Sequence, residues 1–186
     1  FLFQKKKLNE KKNSFLYGWF FGFGYFLTNL YWIPISLTFD QNFSFLIPFA
    51  LILIPLFLGT FYGLATYFFF IVNIKKPLSN LFLFSLFFGL TEFLRGNILT
   101  GFPWNLIAFS FSKNLEILQI LSFIGTYGFN ILCISFFASP AIFILRENRK
   151  EILVCIIFLL LPVVFFSFGS NHMKSFQSSK SVYNDL

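Results

Sequence analysis

The chain has 186 residues, of which 57% are apolar and 11% are charged, and it carries a formal net charge of +7. This composition excludes a soluble globular domain, because the apolar stretches are too long for a globular core. The basic residues stand in short clusters between those stretches, so they indicate membrane topology rather than a nucleic-acid partner. Cys133 and Cys155 lie inside apolar stretches, and we predict no disulfide framework, metal site or cofactor.

A membrane-spanning helix needs about 20 mostly apolar residues. By that measure the sequence predicts an all-α, polytopic transmembrane helix bundle with five spans. The predicted spans are residues 15–39, 45–72, 81–99, 124–145 and 152–168. Prolines and glycines interrupt them, so we expect kinked helices. The pairs Gly18/Gly22 and Gly59/Gly63 have the four-residue spacing of closely packed membrane helices, and we expect them to pack within one bundle.

The basic residues predict the orientation, because short cytoplasmic loops are enriched in Lys and Arg. Three basic clusters precede the first span or follow the second and fourth spans, which places all three clusters on one side, while Arg95 and Lys113 belong to an opposite loop. The residues of the three clusters are Lys5, Lys6, Lys7, Lys11, Lys12, Lys75, Lys76, Arg146, Arg149 and Lys150. The start of the chain is therefore predicted to be cytoplasmic and the tail after Gly169 to be on the outer side.

The stretch 102–111 is apolar but too short to span a membrane, and Gly101 and Pro103 at its start favour a turn. We expect a re-entrant or interfacial segment on the outer face, followed by a short surface helix within 115–123. Residues 1–169 thus form a transmembrane helical domain. The polar residues 170–186 are predicted to be a linker on the outer side.

Glu92 and Arg95 are the most informative polar residues, because they lie one helical turn apart inside the third predicted span. A rise of about 1.5 Å per residue puts them roughly 20 to 24 Å from the cytoplasmic surface. A lone charge at the centre of a spanning helix costs about 2.5 to 3.5 kcal/mol, so such residues are usually paired and often functional. A structural ion pair and a role at a substrate cavity both fit this pattern. Trp104 follows Pro103 near the interface, where Trp commonly anchors a membrane protein.

The sequence from Glu92 to Trp104 (EFLRGNILTGFPW) resembles the membrane-domain signature of bacterial apolipoprotein N-acyltransferases. The stretches 22–33 and 125–130 are also similar to that family, and the resemblance covers most of 15–169. It implies an enzyme of the bacterial inner membrane, with the tail of this chain in the periplasm. The implied reaction transfers an acyl chain from a phospholipid donor to the amino group of the diacylglyceryl cysteine of an apolipoprotein.

The resemblance also implies that the catalytic residues lie in a different domain from these membrane helices. Family members have eight spans and carry a catalytic Glu-Lys-Cys triad in a nitrilase-like periplasmic domain between the seventh and eighth. The five predicted spans would be the third to the seventh, so we expect a fragment with no catalytic residue of its own that is inactive alone. The linker at 170–186 would lead to the missing domain.

The resemblance and the residue types together indicate five candidate lipid-binding residues. Arg95 is the candidate for contact with the headgroup phosphate, and Glu92 would hold Arg95 in place. Phe102, Pro103 and Trp104 would form the rim of the cavity that the acyl donor enters from the outer leaflet.

Two other functions fit the composition. One is a small polytopic transporter or channel subunit with Glu92 and Arg95 on its permeation path. The other is a noncatalytic membrane scaffold. Flux that depends on Glu92 would support the first, and acylation assays would separate the second from an enzyme.

Overall fold

The computed structural model describes residues 2–72, 74, 76–98 and 101–184, and the side chains of residues 9–176 within those ranges. Lys75 of the predicted topology signals and Leu99 and Thr100 of the motif lie outside the described residues. Within them the chain is helical and contains no strand, which confirms the predicted all-α class. The α-helices are α1 (Leu2–Asn29), α2 (Ile47–Val72), α3 (Pro77–Asn97), α4 (Leu115–Leu118), α5 (Leu121–Ala138), α6 (Ala141–Leu145) and α7 (Arg149–Asn184).

Four stretches of the described chain are long and apolar enough to cross a membrane. They are Gln41–Val72, Pro77–Asn97, Leu121–Ala138 and Arg149–Phe176. Helix α1, which contains most of the first predicted span, is not among them. The polytopic bundle is therefore confirmed, while the count of five spans stays a prediction.

Several predicted boundaries differ from the observed ones. The first span was predicted to run to residue 39, but α1 ends at Asn29 and a 3-10 helix, Ile33–Thr38, begins just before Pro34. Proline has no backbone N–H to continue an α-helical ladder, which favours the break. Similarly, α5 ends at Ala138, two residues before Pro140, and the predicted fourth span is divided between α5 and α6.

The fifth predicted span is longer than expected. Helix α7 runs from Arg149 to Asn184 and continues through Pro162. Residues 170–184, predicted as a linker, are therefore helical. Whether they connect to a further domain stays a prediction.

The chain packs into two compact units, which are residues 1–74 with 86–105, and residues 75–85 with 106–186. In the first unit α1 and α2 lie against each other through glycines. A Cβ atom added to Gly22 would be 2.9 Å from the Cα of Gly59, and one added to Gly18 would meet the side chain of Thr66. Ser14 Oγ and Thr66 Oγ1 also donate to each other's backbone carbonyls at 2.8 Å. The predicted packing of these glycines within one bundle is confirmed.

In the second unit, α4 lies directly on α7. A Cβ atom on Gly169 would clash with the carbonyl oxygen of Glu116, so glycine is required for this close approach. The 3-10 helix Ile107–Phe111 is held by Asn130, whose Oδ1 accepts a hydrogen bond from the Ala108 amide at 2.9 Å. The second half of the stretch 102–111, which is predicted to be re-entrant or interfacial, is thus a short 3-10 helix, and the depth of the stretch in a membrane stays a prediction.

Candidate functional site

Glu92 and Arg95 lie on the last two turns of α3 and are almost completely buried. Their exposed fractions are 0% and 1%, and the distance from Arg95 Nη2 to Glu92 Oε1 is 3.9 Å. The predicted pairing is confirmed as an ion pair, although this distance is too long for a hydrogen bond. Burial of both charges is expensive, so other partners are required to compensate for the lost hydration.

Tyr62 of α2 is the main partner observed for Glu92. Its hydroxyl donates a hydrogen bond to Glu92 Oε1 at 2.6 Å, and its side chain is fully buried. The rings of Phe26 and Phe88 lie 5.2 and 5.1 Å from the Tyr62 ring. Tyr62 is not among the residues predicted from the sequence. The available signal was a tyrosine in an apolar span next to Gly63, because a buried tyrosine hydroxyl needs a hydrogen-bond partner.

Arg95 connects α3 to the turn that follows it, of which residues 101–105 are described. Its Nη1 donates to the carbonyl oxygens of Phe102 at 2.9 Å and Trp104 at 2.8 Å, and the Phe102 amide donates to the Arg95 carbonyl at 3.0 Å. The guanidinium also lies 5.0 Å from the centre of the Phe26 ring, within cation–π range. The structure therefore brings the predicted residues Arg95, Phe102 and Trp104 together, with Pro103 exposed between the last two.

Among the described residues of the turn, two lie in the left-handed region: Gly101 with φ of 76° and Asn105 with φ of 58°. A Cβ atom on Gly101 would also lie 2.6 Å from the Gly96 carbonyl oxygen, so glycine is needed there. Asn105 is fixed from α1: its carbonyl accepts from Tyr25 Oη and its Nδ2 donates to the Asn29 carbonyl, both at 3.1 Å.

Trp104 lies at the exposed edge of this turn. More than half of its side-chain surface is accessible, and its ring contacts Trp32 edge to face at 6.3 Å between centroids. The main-chain contacts of the turn therefore hold Trp104 while its ring remains available for contact with lipid or substrate.

A pocket of about 400 Å³ opens between α2, the end of α3 and the turn. Its lining residues are Leu53, Ile54, Phe57, Leu58, Phe61, Arg95, Ile98, Gly101 and Phe102. Arg95 is the single charged residue among them. Its Nε and Nη2 atoms are buried and have no hydrogen-bond acceptor within the described structure.

An apolar pocket with unused cationic donors suits an amphiphilic ligand. The apolar walls would bury a hydrocarbon chain, while the guanidinium would donate to an oxygen or a phosphate. Within the described ranges no group of three or more His, Cys, Asp or Glu residues could hold a metal ion. Of the five predicted residues, Arg95 and Phe102 line the pocket, and Glu92, Pro103 and Trp104 lie next to those two in the same ion pair or turn.

Comparison with known proteins identifies the family to which this chain is similar. Residues 1–139 match the family model of the apolipoprotein N-acyltransferase N-terminal domain. A protein of Rhodopseudomonas palustris named apolipoprotein N-acyltransferase is 39% identical over 130 residues, covering 68% of this chain and 24% of the relative.

Two further relatives with the same name have a similar level of sequence identity to this chain. The Brucella melitensis protein is 38% identical over 128 residues, covering 67% of this chain and 24% of the relative. The Rickettsia bellii protein is 34% identical over 169 residues, covering 88% of this chain and 33% of the relative. The chain thus spans about a quarter to a third of the length of these relatives. No solved structure matches it.

Proposed function

The chain belongs to the apolipoprotein N-acyltransferase family, and we propose that it is the membrane part of an enzyme with that activity. The complete enzyme would transfer an acyl chain from a membrane phospholipid to the N-terminal diacylglyceryl cysteine of apolipoproteins. The names of the relatives support this reaction. Their greater length supports placing the chemistry in residues beyond this chain.

The site geometry supports a role in holding the phospholipid donor. The observation that carries this proposal is Arg95, which is buried at the wall of an apolar pocket and has two nitrogen atoms, Nε and Nη2, that donate no hydrogen bond. In the proposal these donors bind a phosphate or ester oxygen of the lipid, and the apolar walls take one acyl chain. Glu92 and Tyr62 hold the guanidinium, while Phe102, Pro103 and Trp104 form the rim.

The proposed setting is the bacterial inner membrane, with the N-terminal end cytoplasmic and the C-terminal tail periplasmic. The basic clusters support this orientation. In this arrangement residues 170–186 lead toward a nitrilase-like domain with a Glu-Lys-Cys triad. A thiolate of that triad would attack an acyl ester of the donor, release the lysophospholipid and hold the acyl chain as a thioester. The amino group of the apolipoprotein would then attack the thioester, which forms the amide and frees the thiol.

The transporter alternative is not favoured, because the comparisons give acyltransferases and no observation within the described chain supports a permeation path.

The proposed function is tested with the complete gene product, purified and reconstituted in phospholipid bilayers. A peptide with an N-terminal diacylglyceryl cysteine is added, and its mass is followed over time. We expect a gain of one acyl chain on the amino group, at the expense of the bilayer phospholipid. A peptide with a blocked amino group is the control. An unchanged peptide mass with folded protein would overturn the proposal.

A further inference from the structure

Residues 31–46 connect α1 to α2, and we call them the aromatic loop. Six of their large apolar side chains are exposed, and Phe39 has 90% of its surface accessible. These side chains are Tyr31, Trp32, Ile35, Phe39, Phe43 and Phe45. Asp40 is the single charged residue of the loop sequence. So many exposed rings in one connection indicate a surface that something apolar covers.

Three polar side chains of the aromatic loop, Ser36, Thr38 and Asp40, make hydrogen bonds within the loop itself. It contains two 3-10 helices, Ile33–Thr38 and Gln41–Leu46. The hydroxyls of Ser36 and Thr38 donate to carbonyls three residues earlier, both at 2.7 Å, and the Asp40 carboxylate accepts from the Asn42 amide at 3.0 Å. Internal hydrogen bonding of this kind allows a backbone to leave bulk water.

The length of α2 indicates what covers the loop. The helix has 26 residues, or about 39 Å at a rise of 1.5 Å per residue, whereas the hydrocarbon core is about 30 Å thick. Lys75 and Lys76 follow α2 closely in the sequence and favour placing its C-terminal end at one membrane surface. If Val72 lies at one edge of the hydrocarbon core of the bilayer, the other edge lies about 20 residues earlier along α2, near residue 53.

Residues 47–52 and the aromatic loop would therefore lie at the depth of the headgroups and upper acyl chains on the opposite side. The exposed surface is continuous at this point, because Phe49, Ile52 and Leu53 of α2 are also exposed. Those three side chains belong to a stretch with the composition of a membrane span. The loop thus extends a lipid-facing surface rather than beginning a separate patch.

We propose that the aromatic loop is inserted into the interfacial layer of the outer leaflet and that its rings contact phospholipid directly. Aromatic side chains prefer this layer, where an apolar ring meets both chains and headgroups. The edge-to-face contact between Trp32 and Trp104 couples the inserted loop to the turn of the candidate site. The loop would thereby fix the depth of Trp104 in the bilayer.

The proposal requires that the chain spans a membrane but does not depend on acyl transfer, so its test is separate. A cysteine replaces Phe39 in the complete gene product, is labelled with a nitroxide, and its depth is measured by electron paramagnetic resonance in phospholipid bilayers. Cys133 and Cys155 are buried, and labelling of the complete protein without the substitution measures their contribution and that of any cysteine outside this chain. Labels at positions 12 and 64 serve as the references for water and for the hydrocarbon core, because Leu64 of α2 is exposed and lies outside the pocket.

We expect the label at position 39 to collide with oxygen more often than with a water-soluble nickel chelate, at a depth between the two references. A label at position 43 should give the same result. With a nitroxide at position 103, which is exposed and leaves the Trp104 ring in place, Trp32→Ala should change the measured depth. Accessibility to the nickel chelate at positions 39 and 43 equal to that at position 12 would overturn insertion and would place the loop in water. Low accessibility to both oxygen and the chelate would also overturn it, and would indicate that a protein covers the loop.

Discussion

At the scale of single residues, Arg95 organises the candidate site. The sequence predicted its pairing with Glu92 from their spacing and from the cost of a lone charge in an apolar helix. It did not predict that Nη1 binds the Phe102 and Trp104 carbonyls, because both contacts depend on how the turn folds back over the helix end. Tyr62 was missed for a related reason: its partner lies 30 residues away in the sequence.

Arg95→Lys tests whether the planar guanidinium is required. Lysine keeps the charge but lacks the rigid fork of donors. We expect a loss of about 1 to 3 kcal/mol in the free energy of unfolding, since at least one buried carbonyl loses its partner. In the complete enzyme the KM for phospholipid should rise about tenfold or more, which corresponds to about 1.4 kcal/mol. The unfolding titration and the acyl-transfer kinetics are measured on the same preparation.

Arg149→Lys is the matched control for that substitution, because Arg149 is exposed and lies outside the site. It should change neither quantity. An Arg95→Lys enzyme with normal KM for phospholipid would contradict the role of Arg95 in lipid binding, even if its stability falls.

Tyr62→Phe removes one hydroxyl and leaves the ring in place. Glu92 then loses a short hydrogen bond in a fully buried site, and we expect about 1.5 to 3 kcal/mol of destabilisation. Thermal unfolding in detergent measures the change, and Tyr17→Phe is the control because Tyr17 is 75% exposed. Equal stability of both variants would show that the hydroxyl does not support the carboxylate.

At the scale of elements, composition predicted which stretches are apolar helices, but not where they end. The break after Asn29 and the separation of α5 from α6 occur near prolines that the sequence analysis had placed inside spans. Proline inside a membrane helix is tolerated in some contexts, as at Pro55 and Pro162. Which proline ends a helix depends on packing around it, and this information is not local.

The close contact of α1 with α2 predicts that Gly22 cannot be enlarged without loss of stability. In Gly22→Ala the new Cβ atom would lie 2.9 Å from Gly59 Cα and from Tyr62 Cβ, so the helices must separate. We expect a destabilisation of about 1 to 3 kcal/mol from this overpacking, together with reduced acyl transfer because Tyr62 shifts. Unfolding by detergent titration measures the first effect.

Gly24→Ala is the control within the same helix, since its Cβ atom would meet nothing within 4 Å. Stability should be unchanged or slightly higher, because alanine restricts the unfolded chain more than glycine does. A similar loss in both variants would indicate that general helix effects, rather than the close contact, determine the result.

At the scale of the whole molecule, the family was accessible from the sequence because its signature is concentrated in Glu92 to Trp104. The family model and the relatives confirm that resemblance. The sequence predicts a lipid cavity beside Arg95 but not its α2 wall, because Leu53, Phe57 and Phe61 of that wall are ordinary apolar residues of a predicted span. Their common role depends on the position of α2 beside Arg95.

The central claim is that the pocket beside Arg95 binds the phospholipid acyl donor. The most direct measurement is photocrosslinking of the complete enzyme in bilayers with a phospholipid that carries a photoreactive acyl chain, followed by mapping of the modified residues. We expect saturable modification of Phe57, Phe61 and Ile98 that decreases in Arg95→Ala, while modification of exposed Phe68, outside the pocket, is unsaturable and unchanged. Equal, unsaturable modification of the pocket residues and Phe68 in both proteins would contradict the claim.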